Sequence, residues 1–239
     1  MFLFAFLGGF LLAGFVPPPH ASWDAGQTAQ FYIEHRSRIQ AGGLIMLIFG
    51  VASVPWICVV TLQIRRLEGQ LGIITLSQFV TGILIPIAMT WPVIVLLATV
   101  FRDPAHRDIQ VTQALSDVWW MMFVGQTNGV ILQCCLIAFA ILCDRRERPL
   151  FPRWVAYVNI LFAFCSIPES ACLLFNSGPV SWYGAWAFWL ALFSTAGWMV
   201  TMTTTLPRAI MAPDEAPPDG LGSPGSEPSA PQLDTAVLR

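Results

Sequence analysis

A single carboxylate, Glu169, stands well inside an apolar run of this sequence, next to Pro168. An ionisable side chain at membrane depth is costly and marks a functional site by default. On a continuous helix Cys165, Glu169, Cys172 and Asn176 fall at i, i+4, i+7 and i+11, which is one face. Pro168 frees a backbone carbonyl near residue 164 in the same stretch. Two readings stand. Either a polar pocket faces the bundle interior and Glu169 relays protons or anchors a ligand. Or a protonated Glu169 bonds the freed carbonyl, or lies near the outer interface, and the group is structural. Cys and Glu can both ligate zinc, but no His lies nearby and Cys165 and Cys172 are two turns apart. No metal site and no cofactor is expected.

A second polar set lies in the run that follows Trp119: Gln126, Thr127, Asn128 and Gln133. On a helix, Asp117, Met121, Val124, Asn128 and Cys135 share one stripe, and Gln126 and Gln133 share another nearly opposite it. Such residues commonly supply interhelical hydrogen bonds in membranes. The densest charge outside the apolar runs is Phe101-Arg102-Asp103-Pro104-Ala105-His106-Arg107-Asp108, with Asp117 just beyond. A His beside carboxylates can do acid–base work; the plainer reading is a solvated loop that caps helices. His20 and His35 are on the same side, without metal-site spacing. The phosphate-cradling, zinc-protease and nucleophile-elbow motifs are absent, as are voltage-sensor arginine repeats and a potassium-filter segment.

The elements that must position these residues follow from composition. Of 239 residues, 56% are hydrophobic and 11% charged, and mean hydropathy is +0.65. A soluble domain carries about 25% charged residues, so this chain cannot clothe a soluble surface. Its net charge of −2 gives no basic footprint for nucleic acid. The fold class expected is all-α: a polytopic membrane helix bundle of six transmembrane helices with two short outer amphipathic helices. The six runs are 2–16, 41–62, 73–100, 119–142, 155–176 and 184–206. The first is short and lacks the basic flank of a signal peptide, so it is read as a span with its true start upstream. The third carries Pro86 and Pro92 and is expected to kink. Residues 23–38 and 108–118 are read as the amphipathic outer helices. Residues 1–211 form the membrane domain. Residues 212–239, rich in Pro, Gly and Ser, are read as a disordered tail.

Arginine placement orients the bundle. Arg65, Arg66, Arg145, Arg146, Arg148, Arg153, Arg208 and Arg239 fall on one side, and Arg36, Arg38, Arg102 and Arg107 on the other. Both termini are therefore expected in the cytoplasm of a cell-membrane protein. Trp119, Trp120, Trp182, Tyr183 and Trp186 are read as outer interface anchors, and Trp154 and Tyr157 as inner ones.

Several short motifs sit at the ends of these runs. They are Pro17-Pro18-Pro19, Phe31-Tyr32-x-Glu34-His35-Arg36, Arg65-Arg66-x-Glu68-Gly69, Phe101-Arg102 and Asp117-x-Trp119. Asp144-Arg145-Arg146, Phe151-Pro152-Arg153-Trp154-x-x-Tyr157 and Gly178-Pro179 complete the set. Through them the sequence resembles a group of uncharacterised multi-pass membrane proteins of actinobacteria, over roughly residues 5–210. The group has no established activity, so the resemblance implies topology alone. Three functions remain. The best reading is an accessory or lipidic-ligand-binding membrane protein, whose partners are the bilayer, a lipidic small molecule or another membrane protein. The alternatives are a small proton-linked transporter using Glu169, and a membrane-embedded enzyme on an isoprenoid, sterol or acyl substrate. The enzyme would use Glu169 or Asp117 as acid, with Trp91, Trp189 or Trp198 lining an apolar pocket.

Overall fold

The computed structural model describes residues 2–213. The expected tail falls almost wholly outside the described residues. Helices are the regular elements of those residues, with no strand among them. Five helical stretches are long and apolar enough to cross a membrane: Arg36–Glu68, Ile73–Phe101, Ile109–Cys143, Arg153–Leu174 and Ala185–Met211.

The helices are named in chain order. Helix α1 is Phe2–Leu12, α2 is Ala25–Glu34 and α3 is Arg36–Glu68, which tightens to a 3-10 turn at Gly50–Ser53. Helix α4 is Ile73–Phe101, α5 is Ile109–Gly125 and α6 is Asn128–Cys143. Helix α7 is Arg153–Cys165, α8 is Ile167–Ala171 and α9 is Ala185–Met211.

The first run differs from the expected 2–16. Helix α1 has 11 residues, which at about 1.5 Å each spans roughly half of a 30 Å hydrocarbon core. It stops short of the prolines because Gly14 takes φ +81°. The Phe15 amide then donates to the Phe10 carbonyl at 3.2 Å and the Gly14 amide to Leu11 at 3.0 Å. This pair of bonds satisfies carbonyls that a helix end otherwise leaves bare.

Helix α1 packs on α3 through glycine. A Cβ on Gly9 would lie 2.7 Å from the Gly42 carbonyl oxygen, and one on Gly42 would lie 3.1 Å from Ala13 Cβ. Lipid tails are as apolar as a leucine surface, so such small-residue crossings, which let backbones touch, hold membrane helices together. Gly42→Leu is expected to cost about 1–3 kcal/mol through overpacking. Gly8→Leu should be nearly neutral, since a Cβ there meets nothing within 4 Å. Thermal unfolding of the two variants in one detergent measures the difference.

Helix α2 is a separate element, started by a capping box. The Gln27 amide donates to Asp24 Oδ1 at 2.8 Å, and the Asp24 amide donates back to Gln27 Oε1 at 3.1 Å. Its buried face, Ala25, Thr28, Ala29 and Tyr32, packs against α5. Tyr32 donates its hydroxyl hydrogen to Ser116 Oγ at 3.1 Å, and burial pushes the phenol well above its ordinary pKa. The other expected amphipathic helix, 108–118, is not a distinct element: α5 runs unbroken from Ile109 to Gly125.

The charged residues at the helix ends are mostly caps. Arg36 Nε and Gln40 Nε2 both donate to the Val100 carbonyl at 3.2 Å, and Arg107 donates to Thr99 at 3.2 Å, closing the end of α4. Arg38 caps Leu12 at 3.0 Å. Asp103 pairs with Arg36 at 3.3 Å, and Asp108 accepts the Gln110 amide at 2.9 Å. The 101–108 cluster therefore terminates one helix and starts the next. At the opposite end Glu68 accepts the Thr75 hydroxyl at 2.6 Å and the Thr75 amide at 2.9 Å, capping α4. Helix α4 is continuous across Pro86 and Pro92. Thr90 donates to the Pro86 carbonyl at 2.6 Å.

Two apolar cores share the bundle. One, at the Tyr32 end, is aromatic: Phe10, Phe15, Tyr32, Trp119, Trp120, Trp182 and Phe188 are all buried in it. The other, towards the Arg66 end, is mainly aliphatic, with Phe151, Phe162 and Trp198 among its members, and joins α3, α6, α7 and α9. Trp119, Trp120 and Trp182 thus depart from the expected interface role, because the 13–16 turn and the 177–184 segment fold over them. Trp186, Trp154 and Tyr157 remain exposed. His20 stacks on Tyr183 with centroids 4.3 Å apart, and His35 on Phe31 at 4.4 Å. The six cysteines are unpaired.

Candidate functional site

Three breaks in helical regularity meet at one place. The first lies between α5 and α6. Gln126 leaves the helical region at φ −89°, ψ 76°, and this interrupts what the sequence reads as one span. The second is Ser166, between α7 and α8, two residues before Pro168. The third is the start of α9, where Ala185–Trp189 is wound as a π-helix. Single π turns and interrupted membrane helices recur at functional sites, because they leave backbone groups and side chains aimed away from the regular ladder.

Hydrogen bonds stitch the first two breaks together. Thr127 Oγ1 and Ser170 Oγ lie 2.5 Å apart, and the Ser170 hydroxyl donates to the Gly125 carbonyl at 3.2 Å. The carbonyl released where α5 ends is thus satisfied from α8, the helix that carries Glu169. Asn128 Oδ1 accepts the Gly129 amide at 2.9 Å at the start of α6. The polar residues at 126–128 coincide with the break between α5 and α6.

Beside these breaks is a cavity of about 210 Å³. Phe6, Phe10, Phe123, Phe162, Phe188 and Trp198 give it an aromatic wall. Gln126, Thr127, Ser166, Glu169 and Thr195 are its polar lining, and Glu169 is the one ionisable side chain among the described residues that line it. Glu169 lies one turn after Ser166, whose buried hydroxyl has no hydrogen-bond partner. A mostly apolar chamber with a few convergent polar groups is the usual anatomy of a small-ligand site.

The six residues singled out in the sequence separate. Glu169 and Gln126 come together on the cavity. Asn128 sits at the same break; it is exposed, as Gln126 is, but does not line the cavity. Gln133 is fully buried further along α6, against Gly82 of α4, and neither of its amide atoms has a hydrogen-bond partner. Asp117 is half-buried on α5 near Tyr32 and does not line the cavity. Asn176 is exposed beyond the end of the helical segment, because the 3-10 turn at Cys172–Leu174 ends the run before the face reaches it. Of the tryptophans expected in a pocket wall, Trp198 lines the cavity, Trp189 packs against the aromatic core and Trp91 is 61% exposed.

Ser166, Ser170 and Thr195 were not singled out. Pro168 was the available signal for the two serines that flank it; nothing in the sequence marks Thr195 or the π turn. Among the described residues no group of three or more His, Cys, Asp or Glu side chains gathers as a metal site. Set against family models, curated proteins and solved structures, the chain matches none of them.

Proposed function

We propose that this chain is a multi-pass membrane protein that binds a small lipidic ligand in the Glu169 cavity. Glu169 anchors the ligand's polar head, and Ser166, Thr127 and Gln126 complete its hydrogen bonds. The observation that carries this is the convergence of three helix breaks on an apolar chamber holding a lone carboxyl. Asp117, the other candidate acid, does not line the chamber.

The membership and topology belong to the same reading. We take the chain as one of the actinobacterial group it resembles, with the Arg66 end in the cytoplasm on the arginine count. Helix α1 serves as a sixth membrane element, supported by its glycine crossing with α3.

Native mass spectrometry in mild detergent tests the function, with wild type beside Glu169→Gln. A small lipidic adduct on the wild type should fall on the order of tenfold in the variant, the cost of one hydrogen bond to a charged or strongly polar partner. A ligand-free chain that instead carries another membrane protein, unchanged by the substitution, would overturn the proposal in favour of an accessory role.

A further inference from the structure

The Glu169 cavity has a neighbour. A second cavity, of about 430 Å³, lies between the middle of α3 and α9. The two share Ile85, Trp198 and Met199 as a common wall. The far rim of the second cavity faces outward from the bundle, where Phe4 is 80% exposed and Val200 62%. Two of its hydroxyls are taken up by backbone: Ser53 donates to the Gly50 carbonyl at 3.2 Å and Thr204 to Val200 at 2.8 Å. What this chamber offers an occupant is therefore largely hydrocarbon surface.

The common wall is held in place. Trp198 donates its indole hydrogen to Asn159 Oδ1 at 2.9 Å, and the Asn159 amide donates to the Val155 carbonyl at 2.8 Å. The Trp198 ring stacks on Phe162 at 5.1 Å and meets Trp56 edge-on at 5.5 Å. A buried Asn on α7 has thus fixed the orientation of Trp198, which borders both the Glu169 chamber and the lipid-facing one.

From this juxtaposition we infer that the two cavities form a single two-chambered site for a single-chain amphiphile with a small hydroxyl-bearing head. The head lies at Glu169, the chain runs past the shared residues Ile85, Trp198 and Met199, and its hydrocarbon fills the second chamber, which it reaches sideways from the bilayer. The inference rests on the reading of the Glu169 cavity as a lipid-head site. Its new content is the class of ligand, the second chamber and the lateral route. A hydroxyl head suits the first chamber because amide, hydroxyl and carboxyl groups there both donate and accept.

The test uses the full chain in lipid nanodiscs with two probes, monopalmitin and the short-chained monocaprylin, and with Val200→Trp and Thr203→Trp on the exposed rim. Either tryptophan fills chain space and leaves the Glu169 chamber untouched. Binding of monopalmitin should fall on the order of tenfold, the burial of about two methylenes, while monocaprylin binding holds. Both probes should weaken in Glu169→Gln. A photoactivatable group in mid-chain should cross-link to residues of the second chamber. If the tryptophan variants bind monopalmitin as the wild type does, while Glu169→Gln still weakens both probes, the second chamber is refuted and the head site stands. If Glu169→Gln alters neither probe, the head-site reading falls and this inference with it.

Discussion

Trp120→Ala should destabilise the protein by about 3–5 kcal/mol, the range for deleting a large buried aromatic side chain. Trp120 is fully buried. Its ring meets Phe15 edge-on with centroids 5.3 Å apart, Phe10 edge-on at 6.0 Å, and lies parallel to Trp182 at 6.4 Å. Those partners come from the end of α1 with its turn and from the 177–184 segment, so one side chain of α5 joins two stretches distant from it and from each other in sequence. Trp182 is pinned in turn, donating its indole hydrogen to the Pro19 carbonyl at 3.1 Å. Alanine would leave a void that no neighbour can fill, because each neighbouring ring is itself held by others. The effect reaches the site: Phe10 and Phe188 touch Trp120 and also line the Glu169 cavity. Thermal unfolding in detergent reads the loss, with Trp91→Ala as the comparison. Trp91 is 61% exposed and should change stability by no more than about 0.5 kcal/mol. Equal losses in the two variants would refute the assignment of Trp120 as the centre of this core.

What the sequence shows, and what it hides, follows from what periodicity can measure. Apolar length marks membrane-crossing stretches well, and the ends of α4 came within a residue of expectation. Faces are another matter. The 165–176 and 117–135 stripes assume an unbroken helix, and both stretches are broken. That is why Asn176 falls away from Glu169, whereas Gln126, placed on a separate stripe, lines the same cavity. The breaks themselves had partial signals: Gly125 ahead of three polar residues, and Pro168. The capping box of Asp24 and Gln27 was also open to reading. The aromatic core was not. Tryptophan at the edge of an apolar run suggests an interface anchor, and only the folded chain shows that Phe15 and Trp182 close over Trp119 and Trp120. Three of the end motifs are likewise explained by hydrogen bonds at helix ends and in a loop: Arg36 and Glu68 cap α4, and Asp144 receives the Leu150 amide at 3.1 Å within the 144–152 loop.

Arg66→Ala should cost about 2–4 kcal/mol, since several hydrogen bonds from a charged donor are lost and the carbonyls they served are left bare. The Arg66 guanidinium is a clamp on the end of α9. Nη1 donates to the Ala209 carbonyl at 2.6 Å and to Gln63 Oε1 at 2.8 Å, and Nη2 donates to the Ala212 carbonyl at 2.7 Å and to Pro213 at 3.1 Å. A helix end leaves its last carbonyls without partners and carries partial negative charge, so a cation there satisfies both. Arg146 extends the network: it pairs with Asp144 at 3.8 Å and donates to the Arg66 carbonyl, so the two arginine pairs of the sequence meet at one end of the bundle. In the sequence Arg65 and Arg66 are equivalent markers of sidedness. In the structure they part, because Arg65 is exposed and Arg66 turns inward. Arg65→Ala should therefore change stability by no more than about 0.5 kcal/mol. Arg66→Lys should recover only part of the loss, because an ammonium cannot fork across two carbonyls as a guanidinium does. Hydrogen exchange localises the effect: amides in the last turns of α9 should exchange faster in Arg66→Ala, and those of α4 should not. Matching losses in Arg65→Ala and Arg66→Ala would mean that the pair acts through charge alone, and the clamp would be excluded.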